Sequence, residues 1–299
     1  MIPLLQTALE LGLISSLTVL ALFLSYSMLN VCDLSTDGCF TLGATVGAVT
    51  AIAGHAFLSI PAAMLAGMIS GLITAFLQTR MGVDSLLAGI IMNTALYSVN
   101  IGIMGGSSLL NMNKTETVFS KLQSVLDRVG APGLNKLLIA TTAVIAVAAF
   151  LHLFLKTRIG LAIRATGNNP EMVRSSSINP VMTTTVGLCV SNSFTALSGC
   201  LLAQSQKSVN IDIGSGMVTI ALASLLIGGT FLRSRRMSVR IAGTVVGAFV
   251  FRLVYTIALR FNMPAYMLKL VSSVIVILAI SGPYLKSKYP EFARRLEKK

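Results

Sequence analysis

A series of apolar stretches, each about as long as a bilayer is thick, limits what this chain can fold into. A helix needs about 20 mostly apolar residues to cross the hydrocarbon core, because no backbone amide can stay unpaired there. Breaks at charged residues, proline and glycine divide the sequence into about nine stretches: 4–29, 41–57, 59–80, 85–104, 136–156, 182–204, 216–232, 241–260 and 264–285. The sequence therefore predicts an all-α, polytopic transmembrane helical bundle that occupies residues 1–299 as a single domain.

Charged residues lie almost entirely in the short connections between these stretches. A formal net charge of +13 would favour nucleic acid as the partner of a soluble protein, but here the charge reports topology, and no nucleic-acid partner is expected. Basic residues concentrate after the fifth stretch, after the seventh and in the tail. Since Lys and Arg accumulate on the cytoplasmic side, these charges predict the orientation of a multi-pass membrane protein. Its N-terminus is predicted outside, its C-terminus in the cytoplasm and its 105–135 loop outside.

Two polar, glycine-containing segments interrupt the apolar pattern and run directly into a stretch. The first contains Asp33, Asp37 and Gly38, and the second contains Asp212 and Gly214. Such segments are typical of broken or re-entrant helices, which must line protein or water rather than lipid. Their similar places in the two halves of the chain hint at an inverted repeat.

Motifs of covalent chemistry are missing from the sequence. There is no GxSxG, HExxH or GxxxxGK[ST] pattern, and the four cysteines form no CxxC pair. We therefore expect no catalytic residue, no metal site and no cofactor in this chain. If the protein uses ATP, a separate subunit must bind the ATP and its Mg²⁺.

The connection after the fifth stretch contains a helix-start signal at Asn169-Pro170-Glu171. Asparagine is a good N-cap, proline is tolerated at the first helical position, and a glutamate in the first turn faces the positive end of the helix dipole. A short amphipathic helix over about 170–177 is predicted at the cytoplasmic surface. On the residues alone it is either a simple connector or a docking helix that transmits a partner's motion.

Polar residues also recur at helical spacing inside two of the stretches. Asn93, Tyr97 and Asn100 lie on one face of the fourth stretch, and Asn192 and Thr195 share a face of the sixth. Polar side chains in lipid either join neighbouring helices or line a translocation pathway. The sequence leaves both interpretations open.

Arg252 is a basic residue well inside the eighth stretch. Counted from Arg260 at 1.5 Å per residue, it lies roughly 12 Å deep, where an unpaired charge costs at least about 2.5–3.5 kcal/mol. It is therefore expected to face either the pathway, as a cation for a substrate carboxylate, or a structural partner at a helix end or dimer interface.

The chain resembles one transporter family over nearly its whole length, and two motifs make the resemblance specific. The first is the run Arg164-Ala-Thr-Gly-Asn-Asn-Pro170 with the Ser-Ile-Asn that follows it, and the second is the early run from Leu29 to Ala44. Both are similar to permeases of the branched-chain amino acid and ribose type from ABC importers, and within that group to the tryptophan and tyrosine permeases. Arg252 departs from the branched-chain permeases, which carry uncharged or acidic side chains there.

The resemblance implies a small-solute importer of the bacterial plasma membrane, with aromatic amino acids as the expected substrate and branched-chain amino acids, sugars or nucleosides as alternatives. It implies a permease homodimer, two cytoplasmic ABC ATPases and an extracytoplasmic substrate-binding lipoprotein. Residues 168–177 would be the coupling helix, and the expected ATPase contacts are Arg164, Asn168, Asn169, Pro170, Glu171, Met172 and Arg174. An ion-coupled secondary transporter remains the other class, although it would require carboxylates deep within the membrane.

Overall fold

A computed structural model describes residues 2–126, 135–232 and 236–260, with residues 270, 273, 274, 276, 277 and 281 beyond them. The helices are α1 (Ile2–Leu22), α2 (Thr36–Ile52), α3 (Ser59–Thr79), α4 (Ser85–Ile103), α5 (Val118–Leu126), α6 (Asn135–Phe154), α7 (Arg158–Asn168), α8 (Pro170–Ser175), α9 (Pro180–Gln206), α10 (Met217–Phe231) and α11 (Met237–Arg260). A π-helix, Phe23–Met28, extends α1, and the strands β1 (Leu109–Asn111) and β2 (Ser208–Asn210) pair antiparallel. The expected all-α bundle is confirmed.

Six helices in the described part of the chain are long and apolar enough to cross a membrane. They are α1 with its π-helical extension, α3, α4, α6, α9 and α11. Two other predicted stretches form shorter helices, since α2 has 17 residues and α10 has 15. Most of the ninth stretch, 264–285, lies outside the described residues. Helix α2 begins within the first polar segment, and α10 begins directly after the second.

Helix α9 forms the centre of the bundle, where α1, α2 and α3 pack along it. The α3–α9 contact is close because Gly67 and Gly71 face the α9 backbone. A Cβ on Gly71 would lie 2.5 Å from the carbonyl oxygen of Leu188. Small residues replace the hydrophobic drive that is missing between helices in lipid, so this contact holds the bundle by van der Waals packing. The core that results buries Asp33 of the first polar segment.

The first polar segment differs from its prediction in one respect. Asp37 and Gly38 were expected in a polar interruption before a stretch that begins at residue 41, but α2 begins at Thr36 and includes both of them. The carboxylate of Asp37 lies in the first helical turn, where the positive end of the helix dipole favours it. The interruption is therefore restricted to the segment before Thr36, which contains the buried Asp33.

Candidate functional site: a polar junction inside the bundle

Asp33 lies at the break between the π-helix and α2 and is only 1% exposed. Its carboxylate accepts hydrogen bonds from the backbone N–H of Ser35 at 2.8 Å and from the side-chain amide of Asn192 at 2.9 Å. The first bond closes a tight turn that directs the chain into α2. The second joins this turn to the middle of α9, so the break is held to the central helix.

Asp37 connects the two polar segments directly. Its carboxylate accepts from the backbone N–H of Gly216 at 2.9 Å and from that of Val218 at 2.8 Å. These groups belong to the start of α10, where the first N–H groups of a helix lack partners within the helix. Asp37 therefore caps a helix that lies about 180 residues away in sequence.

Gly214 permits the close approach of these segments. A Cβ at this position would lie 2.1 Å from the carbonyl oxygen of Asp37 and 2.6 Å from the hydroxyl of Thr41. No side chain fits between the two backbones. The structure thus brings together Asp37, Gly38, Asp212 and Gly214, four of the five residues predicted in the broken-helix segments.

A polar cavity of about 370 Å³ opens beside this junction, near the middle of α4. It lies at the small end of the range of ligand pockets, about 300–1,000 Å³. Its lining comes from α2, α4 and the turn before α10, and consists of Asp37, Gly38, Thr41, Asn93, Thr94, Tyr97, Ser98, Asn100, Ile211, Asp212 and Ser215. The predicted polar face of the fourth stretch therefore faces this cavity.

The three predicted polar residues of α4 differ in what they bind. Asn100 is 1% exposed and uses both ends of its amide, since it donates to the carbonyl oxygen of Gly38 at 3.2 Å and accepts from Thr45 at 3.5 Å. Tyr97, by contrast, is 50% exposed. Asn93 has its amide oxygen next to Gly38, 2.7 Å from where a Cβ on that glycine would be. Asn100 thus joins α4 to α2, whereas Asn93 and Tyr97 present polar groups to the cavity.

Asn192 and Thr195 do not line the cavity. Both are fully buried within the bundle, where Asn192 binds Asp33 and Thr195 donates to the carbonyl oxygen of Ser191. Two neighbours on the same helix bind α1, since Ser191 donates to Ala21 and Ser198 to Ile14. Of the two interpretations that the sequence left open, this geometry favours the joining of helices for the polar face of α9.

Arg252 also lies away from the cavity, at the contact of α11 with α1. Its Cβ lies 3.5 Å from where a Cβ on Gly12 would be, and its guanidinium lies 5.0 Å from the ring centre of Tyr255. Its buried Nε has no hydrogen-bond partner among the residues that the structure describes. A cation over an aromatic face is attracted by the ring quadrupole, so Tyr255 offers partial compensation for the buried charge.

The connector after α6 forms two helices where the sequence predicted one. Arg164 and Asn168 belong to α7, and α8 covers only Pro170–Ser175 rather than the full 168–177. The predicted start is confirmed, since the side chain of Asn169 accepts from the N–H groups of Glu171 and Met172, both at 3.1 Å. The helix ends early because Ser177 has a left-handed backbone, with φ of 60°. Glu171 pairs with Arg174 at 3.2 Å, and both side chains are exposed.

Helix α7 contacts the break directly. A Cβ on Gly167 would lie 2.1 Å from the carbonyl oxygen of Met28, the last residue of the π-helix. The hydroxyl of Thr166 shares a 2.8 Å hydrogen bond with that of Thr183 on α9. Helix α7 therefore contacts the chain five residues before Asp33, and also α9, the helix that binds Asp33.

Sequence reasoning missed four hydroxyl residues of the cavity as candidates, Thr41, Thr94, Ser98 and Ser215. Thr41 follows Asp37 by one helical turn, so its place on the same face of α2 could have been found from spacing. Ser215 lies within the second polar segment but is one of several small residues there. No signal in the sequence distinguishes Ser98.

Comparison with known proteins identifies the family of this chain. The family model described as "Branched-chain amino acid transport system / permease component" matches residues 4–280. The chain belongs to this family. It is an ABC-type permease, which is a transport component rather than an enzyme, and members of the family work with an ATPase and a substrate-binding partner.

Several curated proteins are similar to this permease. A tyrosine transport system permease protein of Clostridioides difficile is 29% identical over 89% of this chain and 86% of its own length. An uncharacterised protein of Rickettsia prowazekii is 30% identical over 92% of this chain and 96% of its own length. The ribose import permease of Escherichia coli is 25% identical over 83% of this chain and 75% of its own length. No solved structure matches the permease.

Proposed function

We propose that this permease is the membrane subunit of an ATP-driven importer for an aromatic amino acid of the tyrosine type. The observation that carries the proposal is the likeness to the tyrosine permease, which extends over 267 residues. The cavity supports it, because its amide, hydroxyl and carboxylate groups suit a small polar solute. The similarity to the ribose import permease supports a sugar as the alternative substrate.

The proposed mechanism requires two copies of the permease, a cytoplasmic ATPase on each and an extracytoplasmic binding protein. ATP binding and hydrolysis move α7 and α8, and the bundle opens alternately to the two sides. The exposed α8, with Met172 63% exposed, supports its role as the ATPase contact. The orientation with the C-terminus in the cytoplasm belongs to this proposal, because it places α7 and α8 on the side where ATP is available.

A reconstituted transporter tests the proposal. The permease, copurified with its ATPase, is placed in vesicles with the binding protein, and uptake of labelled tyrosine, leucine and ribose is measured with and without ATP. We expect accumulation of tyrosine that needs ATP and stops with vanadate. Uptake of leucine or ribose instead would refute the substrate, and uptake driven by a sodium or proton gradient without ATP would refute the transporter class.

A further inference from the structure

We propose that Asp212 is the specificity-determining residue of the cavity, and that it binds the ammonium group of the transported solute. This inference deepens the proposed function and rests on it, because it assigns one end of an amino acid to one side chain. The cavity contains the carboxylates of Asp37 and Asp212, and none of its eleven lining residues is basic. A cavity with this charge attracts a cationic group.

The two carboxylates differ in how their charge is met. Asp37 accepts the N–H groups of Gly216 and Val218, so its charge lies at the N-terminus of α10, where the helix dipole stabilises it. Asp212 lies five residues before α10, and its side chain is exposed to the cavity. Within the described ranges, no lysine, arginine or histidine forms an ion pair with Asp212. Its carboxylate is therefore available to a ligand.

The turn around Asp212 is held without its carboxylate. The backbone N–H of Asp212 donates to the side chain of Asn210 at 3.1 Å, and its carbonyl oxygen accepts from Ser215 at 3.0 Å. The carboxylate takes no part in these two bonds, and a change to asparagine leaves them in place.

The same cavity also offers groups for the rest of an amino acid. The amide of Asn93 and the hydroxyl of Tyr97 can donate to a carboxylate, and the exposed ring of Tyr97 offers an aromatic face. A neutral sugar would place no positive charge against Asp212. The charges of the cavity therefore fit a solute with an ammonium group better than they fit ribose.

Ligand-induced stabilisation of the permease–ATPase complex, without the binding protein, tests this inference. A ligand that binds the folded state raises the melting temperature, by an amount that grows with the logarithm of its concentration relative to its Kd. The probes are L-tyrosine, tyramine, which keeps the ammonium group but lacks the carboxylate, hydroxyphenylpropanoate, which lacks the ammonium group, and ribose. We expect stabilisation by tyrosine and tyramine and none by the other two.

The variant Asp212→Asn should weaken tyrosine and tyramine binding by about tenfold or more, which is the loss expected for one hydrogen bond to a charged group. Asp212→Glu should restore part of the binding, because it returns the charge. Asp84→Asn is the matched control: this carboxylate caps the same α4 that lines the cavity, lies outside it, and is replaced by an equally good cap. Its binding should equal that of the unaltered complex.

Two results would overturn the inference: stabilisation by hydroxyphenylpropanoate or ribose that equals that by tyrosine, or unchanged binding in Asp212→Asn. The uptake assay separates this failure from failure of the proposed function. If vesicles accumulate tyrosine while Asp212→Asn binds normally, only the role of Asp212 is wrong. If tyramine stabilises the complex through Asp212 but tyrosine is not taken up, the cavity binds ammonium groups and the proposed substrate is wrong.

Discussion

Asp37 and Gly214 show how two residues position the whole site. The carboxylate of Asp37 supplies partners for the first N–H groups of α10, and the missing side chain of Gly214 lets the two backbones meet. No other residue at position 37 or 214 would keep both the cap and the backbone contact as they are. A longer or uncharged side chain at 37 changes the cap, and any Cβ at 214 needs space that the backbone of Asp37 occupies.

Gly214→Ala tests the packing of the junction. We expect it to destabilise the permease by about 1–3 kcal/mol, as overpacking does, because the added methyl group contacts backbone that cannot move aside. Thermal unfolding in detergent measures the effect. Gly102→Ala is the matched control, since a Cβ there meets nothing within 4 Å, and it should unfold at or above the unaltered temperature. Equal behaviour of the two variants would contradict the described junction.

Asp37→Asn tests the cap on α10. An asparagine can still accept one hydrogen bond through its amide oxygen, but it loses the second acceptor and the charge. We expect a loss of about 1–3 kcal/mol, the usual cost of an unpaired buried donor. Hydrogen exchange at Gly216 and Val218 should rise together with this loss. If exchange at these two amides stayed slow, the cap would not depend on the carboxylate.

Among the elements, long apolar helices could be predicted from the sequence and the shape of the breaks could not. The bounds of α3 and α4 follow the predicted stretches within about one residue, because charged or glycine-containing turns mark both ends. The start of α2 was missed because Thr36 and Asp37 are polar, although polar residues are common in a first helical turn. The contact between Asp37 and α10 is tertiary, and no local pattern records it.

For the candidate site, spacing predicted the polar face of α4 but not which of its residues are engaged. Asn93 and Asn100 look alike in the sequence, and only the position of α2 makes one of them a helix contact. The face of α9 gave the same pattern, yet it lies between helices. Periodicity locates a face on a helix; it does not identify the neighbour of that face.

Asn169→Ala tests α8 as an element. Loss of an asparagine N-cap costs about 1 kcal/mol, and a six-residue exposed helix has little other support. We expect faster hydrogen exchange over Met172–Ser175, an unchanged melting temperature and fewer solute molecules moved per ATP hydrolysed. Asn169→Ser keeps a capping side chain and should retain normal coupling. Normal coupling in Asn169→Ala as well would refute a role for α8 in transmission.

At the scale of the whole molecule, the α7–α8 pair and the 105–135 loop give the proposed orientation a test. Both regions contain exposed residues, for example Met172 on α8 and Asn113 after β1. The two partly exposed native cysteines, Cys32 and Cys189, are first changed to alanine. Met172→Cys should then react with a membrane-impermeant thiol reagent only in inside-out vesicles, and Asn113→Cys only in intact cells. The reverse pattern would invert the proposed topology.

The close backbone contact between Gly167 and the carbonyl group of Met28 has a mechanical consequence for the permease. A contact between long side chains can absorb a push by changing rotamers, but two backbones that touch have nothing soft between them. A displacement of α7 would therefore also displace the chain that leads to Asp33. Asp33 is hydrogen-bonded to Asn192, so the displacement would extend to α9. If an ATPase moves α7 and α8 as proposed, this rigid contact is the route by which that movement reaches the buried break in the helix.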